Sequence, residues 1–407
     1  MTQRSEAQVG SGGLANGPRT RATAIGPTLA AGPYQSAARS IVAPFDPVAY
    51  VYVGLGVRAD EDERDLRSRH AVENLLRQGA SEQAAAAIAA RIAAAPPAPA
   101  ILAAFAATDG TVLYEQVLAD TELPDEAGCQ SPPPVTGLLA WEQSSPPYLL
   151  VVTDRTGADI TAAAGAGQPE QTWTVVGPDD EIERKHGPGG WSQPSYQHRV
   201  EDSWRHNAAR VAEEVATRAA AVGAQVLVLS GDVRAVQLLS ERLPNDPALL
   251  VHHITGSRAA DGSQATRGRL VEQALREAAG AQTARLLKAL HENLGPGGLA
   301  VEGVDDTLDA LACGRVATLL VQPSSADSRV AWFGARPTDV YPDPDAAALS
   351  GAPVRSGRLI DVAVRSALLS GAHVRVITPG IPAEPVGGIG ALCRYARQSG
   401  PSIITSL

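Results

Sequence analysis

Large apolar residues alternate with small or polar ones in short runs along this chain. Between those runs, apolar positions return every third or fourth residue. The first such run, AYVYVGL just after Pro47, predicts a strand. Two helices follow, a charged one over roughly 61–78 and the Ala-rich segment 81–95. Ser81 and Gln83 suit the start of the second, and Pro96-Pro97 stop it. ILAAFAA, a TDG turn with Gly110, and TVLYEQVL form a hairpin pattern, and Pro132, Pro133 and Pro134 mark a linker. YLLVV, the turn Asp154-Arg155-Thr156-Gly157 and ADITAAA give a second hairpin, with TWTVVG as a third strand.

The clearest period follows. Tyr196, Val200, Trp204, Ala208, Val211, Val215, Ala219 and Val222 recur at steps of three or four, one stripe of a long helix ending at Gly223. Pro194 fits its first turn, with Ser192 or Gln193 at the entry. Strand QVLVLSG, a helix, strand LLVHHIT and a helix from about 264 come next. The last block reads as helix, loop GPGG, helix Asp305–Cys313, strand ATLLVQP, strand AWFG, helix 356–370, strand HVRVIT and a closing GGIGALCRY. Strands alternating with helices imply mixed α/β layers. Residues 1–44 mix Gly, Ser, Pro and isolated Arg without a period and predict a mobile tail. Cuts near 140 and 278 then give an N-terminal α+β domain over 45–140, a middle domain over 141–278 and a C-terminal domain over 279–407.

With 407 residues, two or three domains are expected. The chain has 34 basic and 44 acidic side chains, a net charge of −10, and only Lys185 and Lys288 are lysines. That balance argues against a polybasic nucleic-acid coat and leaves room for one local basic surface. Cys129, Cys313 and Cys393 lie far apart without a CxxC, which speaks against a disulfide framework or a cysteine zinc site. The polar N-terminus lacks the apolar core of a signal peptide, and no window approaches a membrane span. A cytoplasmic protein without membrane contact is expected.

Candidate chemistry is sparse. There is no GxxxxGK[ST], and GPGGLAVEG follows a helix rather than a strand, so the geometry that exposes backbone N–H groups to phosphates is missing. His252 and His253 point to opposite faces of a strand and cannot chelate one metal together. Asp305 and Asp306 read as helix caps, Cys393 as a buried structural thiol, and no GxSxG elbow occurs. Neither a metal nor a cofactor is expected. One window stands out. From 184 to 210 it carries Arg184, Lys185, Arg199, Arg205 and Arg210 against Glu201 and Asp202, a charge of +3, with His186, His198 and His206. Gly187, Gly189 and Gly190 make a tip able to approach another backbone closely, which suits a phosphate-lined channel. An ordinary solvated loop and helix face would have the same composition.

Lys185-His186-Gly187-Pro188-Gly189-Gly190, Gln193 and then Arg205-His206-Asn207 with Arg210-Val211-Ala212-Glu213 resemble the catalytic loop and following helix of archaeal and eukaryotic class-one peptide release factors. VLVLSGDVRAVQLL (226–239), GVDDTLDALACGRVATLLV (303–321) and GGIGALCRY (387–395) resemble later segments of those proteins, in the same order, over about 60% of the chain. The resemblance implies a middle RNase H-like domain and a C-terminal three-layer α/β domain like release-factor domain three. In that family a glutamine directly after two glycines assists peptidyl-tRNA hydrolysis. Here Trp191 and Ser192 separate Gly190 from Gln193, and a displacement of even ~1 Å can cost ~100-fold in rate. The stop-codon-reading NIKS tetrapeptide does not occur in the first 140 residues.

Scaffold kept, with both motifs altered, most resembles the bacterial Pelota-like branch that includes Balon-type ribosome hibernation factors. These occupy the ribosomal A site and associate with the elongation factor EF-Tu. The resemblance implies a loop of Lys185, His186, Gly187, Gly189, Gly190, Trp191, Ser192 and Gln193 directed at the peptidyl transferase centre. Arg184, Arg199, Arg205, His206 and Arg210 would contact ribosomal RNA. Trp191 could stack on a base or pack the loop. The alternative is a rescue or release factor that hydrolyses peptidyl-tRNA through Gln193.

Overall fold

The computed structural model describes residues 33–56, 61–119, 121, 123–176, 193–244, 246, 249–258, 264–324, 327–378 and 384–397. The first block contains α1 (Pro33–Val42), β1 (Val48–Gly54), α2 (Glu61–Arg77), α3 (Glu82–Ala94), β2 (Ala100–Ala106), β3 (Val112–Ala119), β4 (Glu126–Gln130) and α4 (Thr136–Ser144). Its antiparallel sheet runs β3-β2-β1-β4. Central β1 is buried on both sides. Ala49, Val51 and Val53 meet α2 and α3, while Val48, Tyr50 and Tyr52 join Phe105 in a second core. Ser81 caps α3 by accepting from the Ala84 N–H at 3.1 Å.

The expected 1–44 tail is corrected here, because 33–42 form α1. Ala38, Ile41 and Val42, spaced as one helix face and fully buried, pack into that second core. Residues 1–32 lie outside the described residues.

The middle block contains β5 (Tyr148–Asp154), β6 (Gly157–Ala163), β7 (Gln171–Val176), α5 (Gln193–Val222), β8 (Val226–Gly231), α6 (Val233–Ser240), β9 (Leu250–His253) and α7 (Gln264–Glu292). Its sheet runs β7-β6-β5-β8-β9, antiparallel through β5 and parallel from β5 to β9. Strand alternation divides β8. Leu227 and Leu229 face Val211 and Val215 of α5, whereas Val226 and Val228 face Val271, Ala274 and Ala278 of α7.

The third block contains β10 (Ala300–Glu302), α8 (Val304–Ala312), β11 (Val316–Val321), β12 (Val330–Phe333), β13 (Val340–Tyr341), α9 (Pro344–Ala348), β14 (Arg355–Arg358), α10 (Leu359–Leu369), β15 (His373–Val376) and β16 (Ile389–Cys393). One sheet runs β10-β16-β11-β15 and a small one β13-β12-β14. α10 is buried from Leu359 to Leu368, its polar residues Asp361, Arg365 and Ser366 included. The expected helix over 356–370 is shorter than the sequence suggested, since Arg355–Arg358 pair with β12 as a strand. Asp305 and Asp306 do not cap α8. Gly303 holds that position at φ 87°, and the two carboxylates occupy the first turn, facing the helix dipole.

The cuts expected near 140 and 278 both fall inside helices. α7 is unbroken, with Val271–Ala278 packing on the middle sheet and Leu287 and Leu290 joining Leu320, Ile377 and Leu392 in the third block. α4 leans on the third block as well. The Gln143 amide donates to Val374 O at 2.8 Å and accepts from the Val376 N–H at 3.0 Å, lengthening the β15 edge. The first and third blocks share one core, in which Tyr50 and Phe105 lie with Phe333 and Val362. No helix among the described residues is long and apolar enough to cross a membrane.

Candidate functional site

α5 carries the basic window on a helix whose inner side is anchored to the sheet. Ala208, Val211 and Val215 are buried, and Asn207 is only 6% exposed. Arg205, His206, Arg210 and Glu213 are exposed. Steps of four and three put His206, Arg210 and Glu213 on one line, with Arg205 beside it. Arg199 lies seven residues before His206, on the same line of the backbone; its side chain is outside the described residues. The helical period therefore assembles three of the expected RNA contacts, Arg205, His206 and Arg210, on one outer surface.

What holds α5 in place is a polar joint at the carboxyl ends of β5 and β8. Asn207 Nδ2 donates to Arg155 O at 2.9 Å, tying the helix to the β5–β6 turn. Asp154 Oδ1 shapes that turn by accepting from the Thr156 and Gly157 N–H groups at 2.8 and 3.0 Å. Arg258 grips the hairpin with a two-pronged bond to Asp159 at 2.9 and 3.0 Å and reaches Asp154 at 3.3 Å. The Arg258 guanidinium holds the Asp159 carboxyl below its ordinary range. Beside the turn, Gly231 at φ 127° lets β8 leave the sheet. A Cβ there would sit 1.8 Å from Thr153 O. Asp232 then caps α6, accepting from the N–H groups of Arg234 and Ala235.

Gln193 is the first residue of α5, so the helix begins at the residue expected to lie in the loop. Arg184, Lys185, His186, Gly187, Gly189, Gly190, Trp191 and Ser192 lie outside the described residues. Sequence reasoning found the Asp154–Gly157 turn but not its tie to Asn207, nor the Arg258 fork. An Asp-x-Thr-Gly turn signals the first partner locally, whereas Arg258 comes from 99 residues beyond Asp159. His252 and His253 sit on β9, half-buried and exposed in turn, on opposite faces. No group of three or more His, Cys, Asp or Glu able to hold a metal occurs among the described residues.

Comparison with known proteins places this joint in a recognised segment. Residues 147–296 match the family described as bacterial archaeo-eukaryotic release factor family 2. Two Mycobacterium tuberculosis proteins, "Uncharacterized protein Rv2629" of strain H37Rv and "Uncharacterized protein MT2704" of strain CDC 1551, are each 28% identical over 270 residues. The match covers 65% of this chain and 70% of theirs. Among solved structures, an archaeal Pelota described as ribosome-bound together with ABCE1 is 15% identical, with a TM-score of 0.38. That comparison covers 89% of this chain and 94% of the Pelota chain. The middle of the chain is thus release-factor-like, and the whole of α5 and its joint falls inside the matched segment.

Proposed function

We propose that this chain is a ribosome-binding hibernation factor. It fills the A site between the decoding centre and the peptidyl transferase centre and blocks translation without releasing peptide. The observation that carries the reading is the exposed Arg205, His206 and Arg210 surface on a helix anchored inside a release-factor-like segment. Guanidinium groups are suited to phosphate oxygens, and a chain of net charge −10 that binds ribosomal RNA needs such a local surface. Arg184, Arg199, Arg205, His206 and Arg210 contact ribosomal RNA, and the 185–193 loop reaches toward the peptidyl transferase centre. A glutamine that opens a helix, separated from the glycines by two residues, supports a role without hydrolysis. EF-Tu is the proposed delivery partner, and the cytoplasm the proposed location.

The test adds purified protein to ribosomes carrying peptidyl-tRNA and scores occupancy and peptide release together. Occupancy without release, weakened by Arg205→Ala and Arg210→Ala, is expected. Each lost phosphate contact should lower the salt slope of binding by about 1. Release that disappears in Gln193→Ala would replace this reading with a rescue or release factor. No ribosome binding at all would overturn both.

A further inference from the structure

The small sheet of the third block has two unlike faces. Ala331 and Phe333 of β12 are buried in the shared core. The opposite face carries Trp332 paired across to Tyr341 on one side and Ser356 on the other, and Val330 paired to Arg358. Val330 and Arg358 are both 44% exposed, and Trp332 and Tyr341 are half-buried. In a chain with 4% aromatic residues, a tryptophan and a tyrosine side by side on an outer sheet face call for an explanation.

A groove of about 570 Å³ runs along the open edge of β14, lined by Trp332 and Arg358 from the outer face, by Arg355 from the face of Phe333, and by Gln130 and Ser131. Both arginines are held in place. Arg355 lies over the Phe45 ring at 5.0 Å and bonds Asp46 through Nη2 at 2.9 Å. Arg358 uses Nε on Asp361 at 2.8 Å. Among the described residues Arg358 is bonded through Nε, which leaves its two amino groups for an acceptor. Each arginine already pairs with a carboxylate beside the groove, Arg355 with Asp46 and Arg358 with Asp361. Arg358 is the diagonal cross-strand neighbour of Trp332, roughly 7 Å away at Cβ.

We propose that this groove binds an unpaired nucleotide, its base stacked on Trp332 and its phosphate held by Arg358, the diagonal neighbour on the same face. A tryptophan face takes any base, and the pre-set guanidinium of Arg358 offers its amino N–H groups to a phosphate oxygen. A duplex cannot present a base to this wall, so the ligand is single-stranded RNA or a free mononucleotide. The site is separate from α5 and does not rest on the function proposed for it.

The experiment follows tryptophan emission of the full chain as a single-stranded ten-nucleotide RNA, the same RNA as a duplex, or AMP is added. The single strand is expected to quench emission and the duplex not. Trp332→Phe should keep the affinity for the strand and lose the quench, while Trp332→Ala weakens binding about tenfold. Quenching by AMP as well assigns the site to mononucleotides, and quenching by RNA alone assigns it to a strand. The double variant R205A/R210A should keep the quench, which separates this groove from α5. An equal quench in wild type and Trp332→Phe, or undiminished binding by Trp332→Ala, would overturn the proposal. Trp332→Ala that loses ribosome association with unchanged RNA affinity would overturn it in favour of a protein partner.

Discussion

Asp361 offers the sharpest test of the polar seam between the first and third blocks. It sits in the first turn of α10, only 4% exposed, and accepts from Arg358 Nε at 2.8 Å and from Gln130 Nε2 at 3.2 Å. Burial, opposed by Arg358 and aided by the nearby Glu126 carboxylate, pushes its pKa up to about 6. A carboxyl with a raised folded-state pKa binds its proton more readily in the folded chain than in the unfolded one. Its stabilising contribution is complete below the unfolded value of about 3.9 and is lost as the pH rises through about 6. The full span is about 3 kcal/mol, of which about 1.3 kcal/mol is gained between pH 7 and pH 5. Asparagine has the same shape and does not titrate. Urea unfolding of wild type and Asp361→Asn across this range should therefore show wild type gaining that amount on the variant as the pH falls. A difference that stays flat, or that moves toward the variant in acid, would refute the assignment of a buried, charge-opposed carboxylate at this seam.

Arg375 is 8% exposed and bonds Thr283 Oγ1, Gln282 Oε1 and Ala279 O of α7; burial pushes its pKa down to about 10. Because its hydrogen-bond partners there are neutral, Arg375→Met should cost less than about 1.5 kcal/mol. Arg375→Ala, which leaves a void, should cost about 2–4 kcal/mol in urea unfolding. Gly231→Ala forces a Cβ to within 1.8 Å of Thr153 O at φ 127°, and should cost more than about 3 kcal/mol, read as a lowered thermal midpoint. Cys313 is exposed and Cys393 is buried with its thiol pKa raised, so iodoacetamide should modify Cys313 in the folded chain and reach Cys393 only on unfolding.

Strands and long helices were legible because their periods come from a single core face. The stripe from Ala208 to Val222 of α5 and the two hairpins appear where alternation and turn residues put them. α1 was not legible, since it is short and its three buried residues are covered by a core that comes from far along the chain. β14 and α10 read as one helix in the sequence, whereas Arg355–Arg358 pair with β12 as a strand through a partner far along the chain and the helix begins at Leu359. The expected cuts near 140 and 278 fall within α4 and α7. Read from sequence, the second stretch divides between two helices at the cut near 278, whereas α7 is one helix whose two halves serve different cores. In the candidate site, the basic residues of α5 announced themselves by charge. Asn207 and Arg258, which set the helix against the sheet, act through partners distant in sequence and gave no local sign.

α7 also has a consequence for how the molecule comes apart. Ala278 and Leu287 are nine positions apart, about 13 Å along one rod, yet each closes a different core. Melting either core withdraws a wall from the other, so the middle and third blocks are thermodynamically coupled and should lose structure in a single calorimetric transition. Fragments severed anywhere within 264–292 should each inherit an open side. Stability here is held in common, and neither block owns enough of the helix to fold to completion alone.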